Sequence, residues 1–76
     1  MLLEQQYDLK EITKTLKAYR KRATVTQVEV AVDTGYSVEQ ISTFENGRVR
    51  SLFLFMYYCR NFLSDEEILV LLRGKR

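Results

Sequence analysis

Apolar residues at intervals of three and four predict a first helix over residues 9–22. The side chains that share one side of this helix are Leu9, Ile12, Leu16 and Tyr19. Asp8, followed three residues later by Glu11, has the form of a capping box at the helix start. Basic residues fill the last turns, where positive charge complements the carboxyl end of the helix dipole.

Residues 24–35 form a valine-rich stretch with both strand and helix signals. The alternation that favours a strand comes from Val28, Val30 and Val32. Thr26, however, is a good N-cap residue, and Gly35 stands where a residue with positive φ ends a helix. The two caps favour a short helix between them.

A second short helix is predicted directly after Gly35. Ser37, with Gln40 three residues later, forms another capping box, and Asn46-Gly47 is a stop signal. The inward side chains of this helix are Ile41 and Phe44. Two short helices joined by a tight glycine-containing turn are typical of a helix-turn-helix.

The last third of the chain predicts two more helices, over 52–62 and 64–74, the second of them started by a capping box of Ser64 and Glu67. We expect one side of the first to cover the helix-turn-helix, through Leu52, Phe55, Met56 and Cys59. A strand over 52–58 is the alternative. The predicted fold is an all-α, compact bundle of about five short helices.

The amino-acid composition excludes or disfavours several classes of function. The 76 residues include one cysteine and no histidine, which excludes a disulfide within the chain and a four-ligand zinc site. Without histidine or a glycine-rich phosphate loop, an enzyme is disfavoured and no cofactor or small-molecule ligand is implied. The longest apolar run, from Leu52 to Cys59, is too short to cross a bilayer. We expect a single domain spanning 1–76. We also expect it to be cytoplasmic, because a lone thiol suits a reducing compartment.

Residues 26–47 read TQVEVAVDTGYSVEQISTFENG and resemble the Cro and phage-repressor type of helix-turn-helix, often called the XRE family. A Thr-Gln pair opens the first helix, Ala31 faces the second helix, and Gly35 occupies the turn. With one residue removed from the loop after Gly47, the resemblance extends over residues 16–63. It implies the fold of a lambda-repressor-like DNA-binding domain.

Several positions depart from the family's pattern. Thr24 stands where a helix-ending glycine is common, so we expect no clean left-handed turn there. Thr34 replaces a usual leucine, and its hydroxyl must find a backbone carbonyl. Val28 and Val32 occupy positions that the family usually makes polar.

The resemblance implies double-stranded DNA as the partner, with the helix over 37–46 in the major groove. The residues expected to read bases are Val38, Glu39, Gln40 and Thr43. Among them, Gln40 suits adenine N6/N7, and Glu39 suits cytosine N4. The residues expected to bind phosphates are Gln27, Ser37, Asn46, Arg48 and Arg50, with Lys17 and Lys21 in reserve. Arg20 and Glu45 are expected to form a partly buried structural ion pair.

These features favour a sequence-specific transcription regulator, a repressor of a phage or another mobile element. We expect it to bind a palindromic operator as a homodimer through the helices over 52–62 and 64–74, with residues 1–7 adding to the contact. The alternative is a protein-binding module of the same fold, such as an antirepressor, an antitoxin or an inhibitor of a host factor. A net charge of only +2 and an acidic residue on the recognition face, Glu39, motivate it.

Overall fold

A computed structural model describes residues 9–73, which form five α-helices and contain no strand. The helices are α1 (Leu9–Arg22), α2 (Gln27–Thr34), α3 (Val38–Glu45), α4 (Leu52–Phe62) and α5 (Asp65–Arg73). The predicted all-α bundle is confirmed, and the strand alternatives at 28–32 and 52–58 are wrong. The predicted cap at Asp8 and the contact by residues 1–7 lie outside the described residues. Over 9–73, no helix is long and apolar enough to cross a membrane.

The core lies between the first four helices. Its buried apolar members are Leu16, Val30, Ala31, Ile41, Phe44, Leu54, Tyr58, Cys59 and Leu63. Ile41 and Phe44 are therefore inward, as predicted. The last helix, α5, contributes no fully buried residue, and only half-buried Ile68 and Leu71 pack against this core. Helix α5 is the most weakly anchored of the five.

Reciprocal caps explain where the short helices begin. At the start of α2, Thr26 Oγ1 accepts from Glu29 N at 3.1 Å while Glu29 Oε1 accepts from Thr26 N at 2.8 Å. The predicted box at α5 is also present, with Glu67 N donating to Ser64 Oγ at 3.1 Å and Ser64 N donating to Glu67 Oε1 at 2.8 Å. Each such cap stabilises a helix by about 1 kcal/mol, which offsets the weak strand preference of the valines in α2.

The end of α1 differs from expectation, because Thr24 adopts the left-handed region with φ of 60°. Val25 N donates to Arg20 O at 3.2 Å and Thr24 N donates to Lys21 O at 2.9 Å, which is the Schellman arrangement. The prediction that Thr24 avoids a left-handed turn was wrong. The paired bonds to the last carbonyls hold a β-branched residue in a conformation that suits glycine.

The rotation of α4 also differs from expectation. Leu54 and Tyr58 are its fully buried side chains, whereas Leu52 is 72% and Met56 is 58% exposed. The predicted inward side was therefore wrong for Leu52 and Met56, while Cys59 is buried and Phe55 half-buried. The rotation brings the Tyr58 hydroxyl to a buried carboxylate, a polar constraint that apolar spacing does not reveal.

Candidate nucleic-acid interface

The turn between α2 and α3 is closed by backbone and hydroxyl hydrogen bonds. Gly35, with φ of 84°, donates its N–H to Ala31 O at 2.9 Å. Thr34 Oγ1 donates to Val30 O at 2.8 Å and accepts from Tyr36 N at 3.2 Å, so the predicted bond to a carbonyl is confirmed. The threonine fits this core-edge position because its hydroxyl is fully used in the turn.

Helix α3 has a buried side and a solvent side. Its buried side chains are Ile41, Phe44 and Glu45. On the other sides, Val38, Glu39 and Gln40 are exposed and Thr43 is half-buried. Half-buried Ser42, one turn after Val38, also borders this outer surface. Helical spacing could have identified Ser42, but the sequence analysis did not assign it a role.

Several polar groups at the start of α3 already form hydrogen bonds within the helix. Ser37 N donates to Gln40 Oε1 at 2.8 Å, and Gln40 N donates to Ser37 Oγ at 3.0 Å. Thr43 Oγ1 donates to Glu39 O at 2.8 Å. With its carbonyl oxygen used in the cap, Gln40 offers its NH₂ group outward. The expected contact with adenine N6/N7 would therefore use the second lone pair of Gln40 Oε1 together with its NH₂ group.

A buried hydrogen-bond network centres on Glu45 at the end of α3. Arg20 Nε donates to Glu45 Oε2 at 2.6 Å and Arg20 Nη2 donates to Glu45 Oε1 at 3.0 Å. Tyr58 Oη donates to Oε2 at 2.5 Å and Gln27 Nε2 donates to Oε1 at 2.9 Å. Arg20 and Glu45 form the pair that the family resemblance implies. The network joins α1, α2, α3 and α4 around one carboxylate.

The network keeps Glu45 and Arg20 charged and the Tyr58 hydroxyl protonated. Burial alone would raise the pKa of Glu45, but hydrogen bonds from Arg20, Tyr58 and Gln27 together lower it. The hydrogen bond to Glu45 raises the pKa of Arg20. Burial, together with the bond to the carboxylate, raises the pKa of Tyr58. No buried side-chain nitrogen or oxygen among residues 9–73 lacks a hydrogen-bond partner.

The half-buried Gln27 side chain lies beside this network. One amide N–H bonds Glu45, the residue before Asn46, so Gln27 and Asn46 lie at the same end of α3. The second amide N–H and the backbone N–H groups of the first two residues of α2 are the donors left for an anion, because Glu29 N already donates to Thr26 Oγ1. The Glu29 carboxylate, which caps Thr26 N, offsets part of the positive end of this helix dipole.

The loop after α3 carries exposed polar and basic side chains. They are Asn46, Arg48 and Arg50. Arg48 N donates to Thr43 O at 3.2 Å, which holds the loop close to α3. Gly47, with φ of 74°, packs against the start of α1, where a Cβ atom would lie 2.9 Å from Lys10 Cα.

Helix α1 adds lysines beside this loop. Lys10 and half-buried Lys17 are two turns apart and therefore share a side of α1, and exposed Lys21 follows one turn later. Because Lys10 contacts Gly47, this side of α1 faces the loop. The sequence analysis named Lys17 and Lys21 but missed Lys10, which the same seven-residue spacing could have identified.

Comparison with known proteins agrees with this arrangement. A family model described as a helix-turn-helix domain matches residues 11–54, more than half of the chain. The matched part runs from the first turn of α1 into the start of α4 and includes the whole α2–turn–α3 unit. Neither the curated proteins nor the solved structures that were searched give a match to this chain.

Proposed function

The chain belongs to the helix-turn-helix domain family, and we propose that it is a sequence-specific transcription regulator of the Cro and phage-repressor (XRE) type. The observation that carries the proposal is the exposed first turn of α3, which presents Glu39 and Gln40 on a helix fixed by the buried Glu45 network. A rigid helix with polar groups at its N-terminal end is the form that enters a major groove.

In this proposal, the N-terminal end of α3 reads base edges. The NH₂ group of Gln40 would donate to a purine N7, a guanine O6 or a thymine O4, because its carbonyl oxygen caps the helix. The carboxylate of Glu39 would accept from cytosine N4. Val38 and Thr43 would contact thymine methyl groups.

Phosphate contacts would come from the groups around the end of α3. Gln27, Ser37 and Asn46 supply neutral hydrogen-bond donors, and Arg48 and Arg50 supply charge, with Lys17 and Lys21 beside them on α1. Such contacts fix the position of the protein on the duplex without reading its sequence. The network that binds one N–H of Gln27 also limits how its amide rotates, which favours one phosphate geometry.

We further propose that the protein binds a palindromic operator as a homodimer through α4 and α5 and represses by occupying that site. The support is the apolar outer surface of α4, where Leu52, Phe53 and Met56 are exposed, and of α5, where Leu69, Val70 and Leu72 are exposed. A two-fold dimer would place the two α3 helices about 34 Å apart, one turn of DNA.

A protein-binding module is the second candidate. The observation in its favour is the exposed pair Val28 and Val32 on α2, which is 58% and 80% exposed respectively. Isolated apolar residues on a surface are ordinary, but two on adjacent turns form a patch that a partner can cover. An antirepressor, an antitoxin or an inhibitor of a host factor would use such a patch.

Selection of bound duplexes from a random pool, at low and at physiological salt, tests the first candidate. We expect enrichment of a roughly palindromic site. Gln40→Glu keeps an oxygen to cap Ser37 but replaces the NH₂ donor, so it should lose or change the enriched bases without unfolding α3. Glu11→Gln, an exposed change in the first turn of α1 at a residue with no assigned DNA contact, is the matched control and should keep the wild-type site.

No enrichment, together with binding that disappears at physiological salt, would contradict the regulator proposal and favour a protein partner. Enrichment that is unaffected by Gln40→Glu would leave DNA recognition intact but remove the assigned role of this residue.

A further inference from the structure

An open groove of about 730 Å³ lies between α2 and the C-terminal half of α4. Its walls are formed by the end of α1 and by residues of both helices, namely Ala23, Thr24, Val25, Val28, Glu29, Val32, Asp33, Tyr57, Asn61 and Phe62. None of the residues assigned above to bases or phosphates lines it. The groove therefore uses no side chain of the proposed DNA surface.

The α2 residues that line the groove are apolar and acidic. Val28 and Val32 lie on adjacent turns of α2, and Glu29 and Asp33 follow each of them by one position. Among residues 9–73, no lysine or arginine lines the groove. Two carboxylates without a lining cation would repel the DNA backbone but would attract an apolar segment that carries positive charge.

The two sides of the groove are held together by one hydrogen bond. Tyr57 Oη donates to Asp33 Oδ2 at 2.6 Å, which joins α4 to α2. Burial and this bond raise the pKa of Tyr57 to about 12. The groove is thus a preformed feature of the monomer, which reduces the ordering cost of binding.

The chain itself carries a segment with the complementary pattern, at the end of α5. Leu69, Leu72 and Arg73 are exposed and lie at positions i, i+3 and i+4, on one side of the helix. In the sequence, Lys75 and Arg76 follow. This apolar side, with Arg73 in the last turn of the helix, matches a groove lined by apolar and acidic side chains.

The α5 helix does not reach the groove of its own chain. Its half-buried residues Ile68 and Leu71 pack on the core, and Glu67 bonds Arg22 with Oε2–Nη1 and Oε1–Nη2 distances of 2.8 and 3.0 Å. These contacts leave Leu69 and Leu72 exposed, and no α5 residue lines the groove. The groove and the outer side of α5 are therefore complementary surfaces that one chain does not join.

We infer that the outer side of α5 in one copy of this chain docks in the α2–α4 groove of a second copy, with Arg73 beside Glu29 and Asp33. The contact is reciprocal, because the α5 helix of each copy occupies the groove of the other. Two copies therefore form a closed two-fold dimer. This inference rests on the homodimer of the proposed function and assigns its contact surfaces.

A charge-exchange experiment without DNA tests the docking. Val32→Lys places a cation in the groove lining at a position that is 80% exposed, so folding should be unaffected. It should weaken the dimer about tenfold in sedimentation equilibrium, and Arg73→Glu should weaken it similarly. The double variant, which pairs the new lysine with the new glutamate, should recover most of the loss. Val49→Lys, an exposed valine outside the groove, is the control and should not change the dimer constant.

A peptide of residues 64–76 provides a second measurement. Added to the labelled full chain, it should shift the amide resonances of α2 and of the C-terminal half of α4, and Val32→Lys should abolish those shifts. A dimer that is insensitive to Val32→Lys and Arg73→Glu but is broken by Met56→Lys would overturn the groove assignment and leave the proposed function in place. A chain that stays monomeric in sedimentation and gives no peptide shifts would overturn the docking, and the duplex selection reports separately on DNA recognition.

Discussion

The single residue with the largest structural role is Glu45, because four side-chain bonds from three other helices end on its carboxylate. The family resemblance predicted its pairing with Arg20. It did not predict the hydroxyl of Tyr58 or the amide of Gln27. Those two residues are distant in the sequence, and neither has a local pattern that marks it as a partner of a buried charge.

Arg20→Met should strongly destabilise the fold. It removes the cation that compensates a carboxylate only 4% exposed, and breaking a buried pair in this way costs about 3–5 kcal/mol. Chemical denaturation measures the free energy of unfolding. Arg22→Met is the matched control, since the Arg22–Glu67 pair is exposed and should contribute much less. Equal losses of unfolding free energy in both variants would show that the buried ion pair contributes no more to stability than the exposed one.

The same carboxylate predicts how stability depends on pH. The folded-state pKa of Glu45 is below its ordinary value of 4.5, so the stabilisation is complete above 4.5 and is lost as the pH falls through the lowered folded value. Tyr58→Phe removes one of the bonds that lower this pKa. The acid-induced loss in that variant should therefore be smaller, and its free energy of unfolding should level off at a higher pH than that of the wild type. Unfolding curves recorded between neutral and acidic pH test this, and coincident pH profiles would contradict it.

At the scale of elements, the sequence predicted the helices well and their rotation less well. Caps at Thr26, Ser37 and Ser64 identify helix starts, because each acts within one turn. The rotation of α4 was missed because apolar residues surround that helix on every side. Its orientation is decided by the Tyr58 hydroxyl, which must reach Glu45, and that is a long-range constraint.

The left-handed turn after α1 predicts a stabilising substitution. Thr24→Gly should raise the free energy of unfolding by about 0.5–1 kcal/mol, because glycine adopts φ of 60° without a Cβ penalty but loses more entropy on folding. Thermal unfolding measures the effect. Thr24→Ala keeps the Cβ atom and should give no such gain. A gain from alanine equal to that from glycine would point to the hydroxyl rather than to the backbone.

The two left-handed glycines around α3 should respond differently to alanine. Gly47→Ala adds a Cβ atom 2.9 Å from Lys10 Cα in addition to the φ penalty, so α1 and the loop must separate, at a cost of about 2–4 kcal/mol. Gly35→Ala meets nothing within 4 Å and should cost only about 1–2 kcal/mol. Denaturant midpoints of the two variants provide the comparison. Equal values would mean that the loop at Gly47 can move away from α1 without loss of stability.

At the scale of the whole molecule, charge is distributed unevenly although the net charge is only +2. Basic side chains lie beside α3, on the following loop and on one side of α1, whereas the α2–α4 groove carries only acidic ones. The sequence predicted the basic positions through the family resemblance. It did not predict the groove, because the groove depends on how α4 is rotated against α2.

This distribution predicts the salt dependence of DNA binding. If Arg48 neutralises one phosphate, Arg48→Ala should reduce the slope of log K against log salt by about 0.9 for each protomer. Fluorescence anisotropy with the selected duplex, over a range of salt concentrations, measures the slope. Arg60→Ala, an exposed arginine on α4, is the matched control and should leave the slope unchanged. A change with Arg60 alone would place the DNA surface on α4.

The buried thiol of Cys59 has a practical consequence for following the motion of α4. The side chain is 7% exposed, and burial raises the pKa of its thiol, so an alkylating reagent reacts with it slowly while the helix is seated. Since no other cysteine occurs in the chain, the rate of alkylation reports how often α4 opens locally from the core. Measured with and without a bound duplex, that rate would give the free energy that DNA adds to the closed state of this helix.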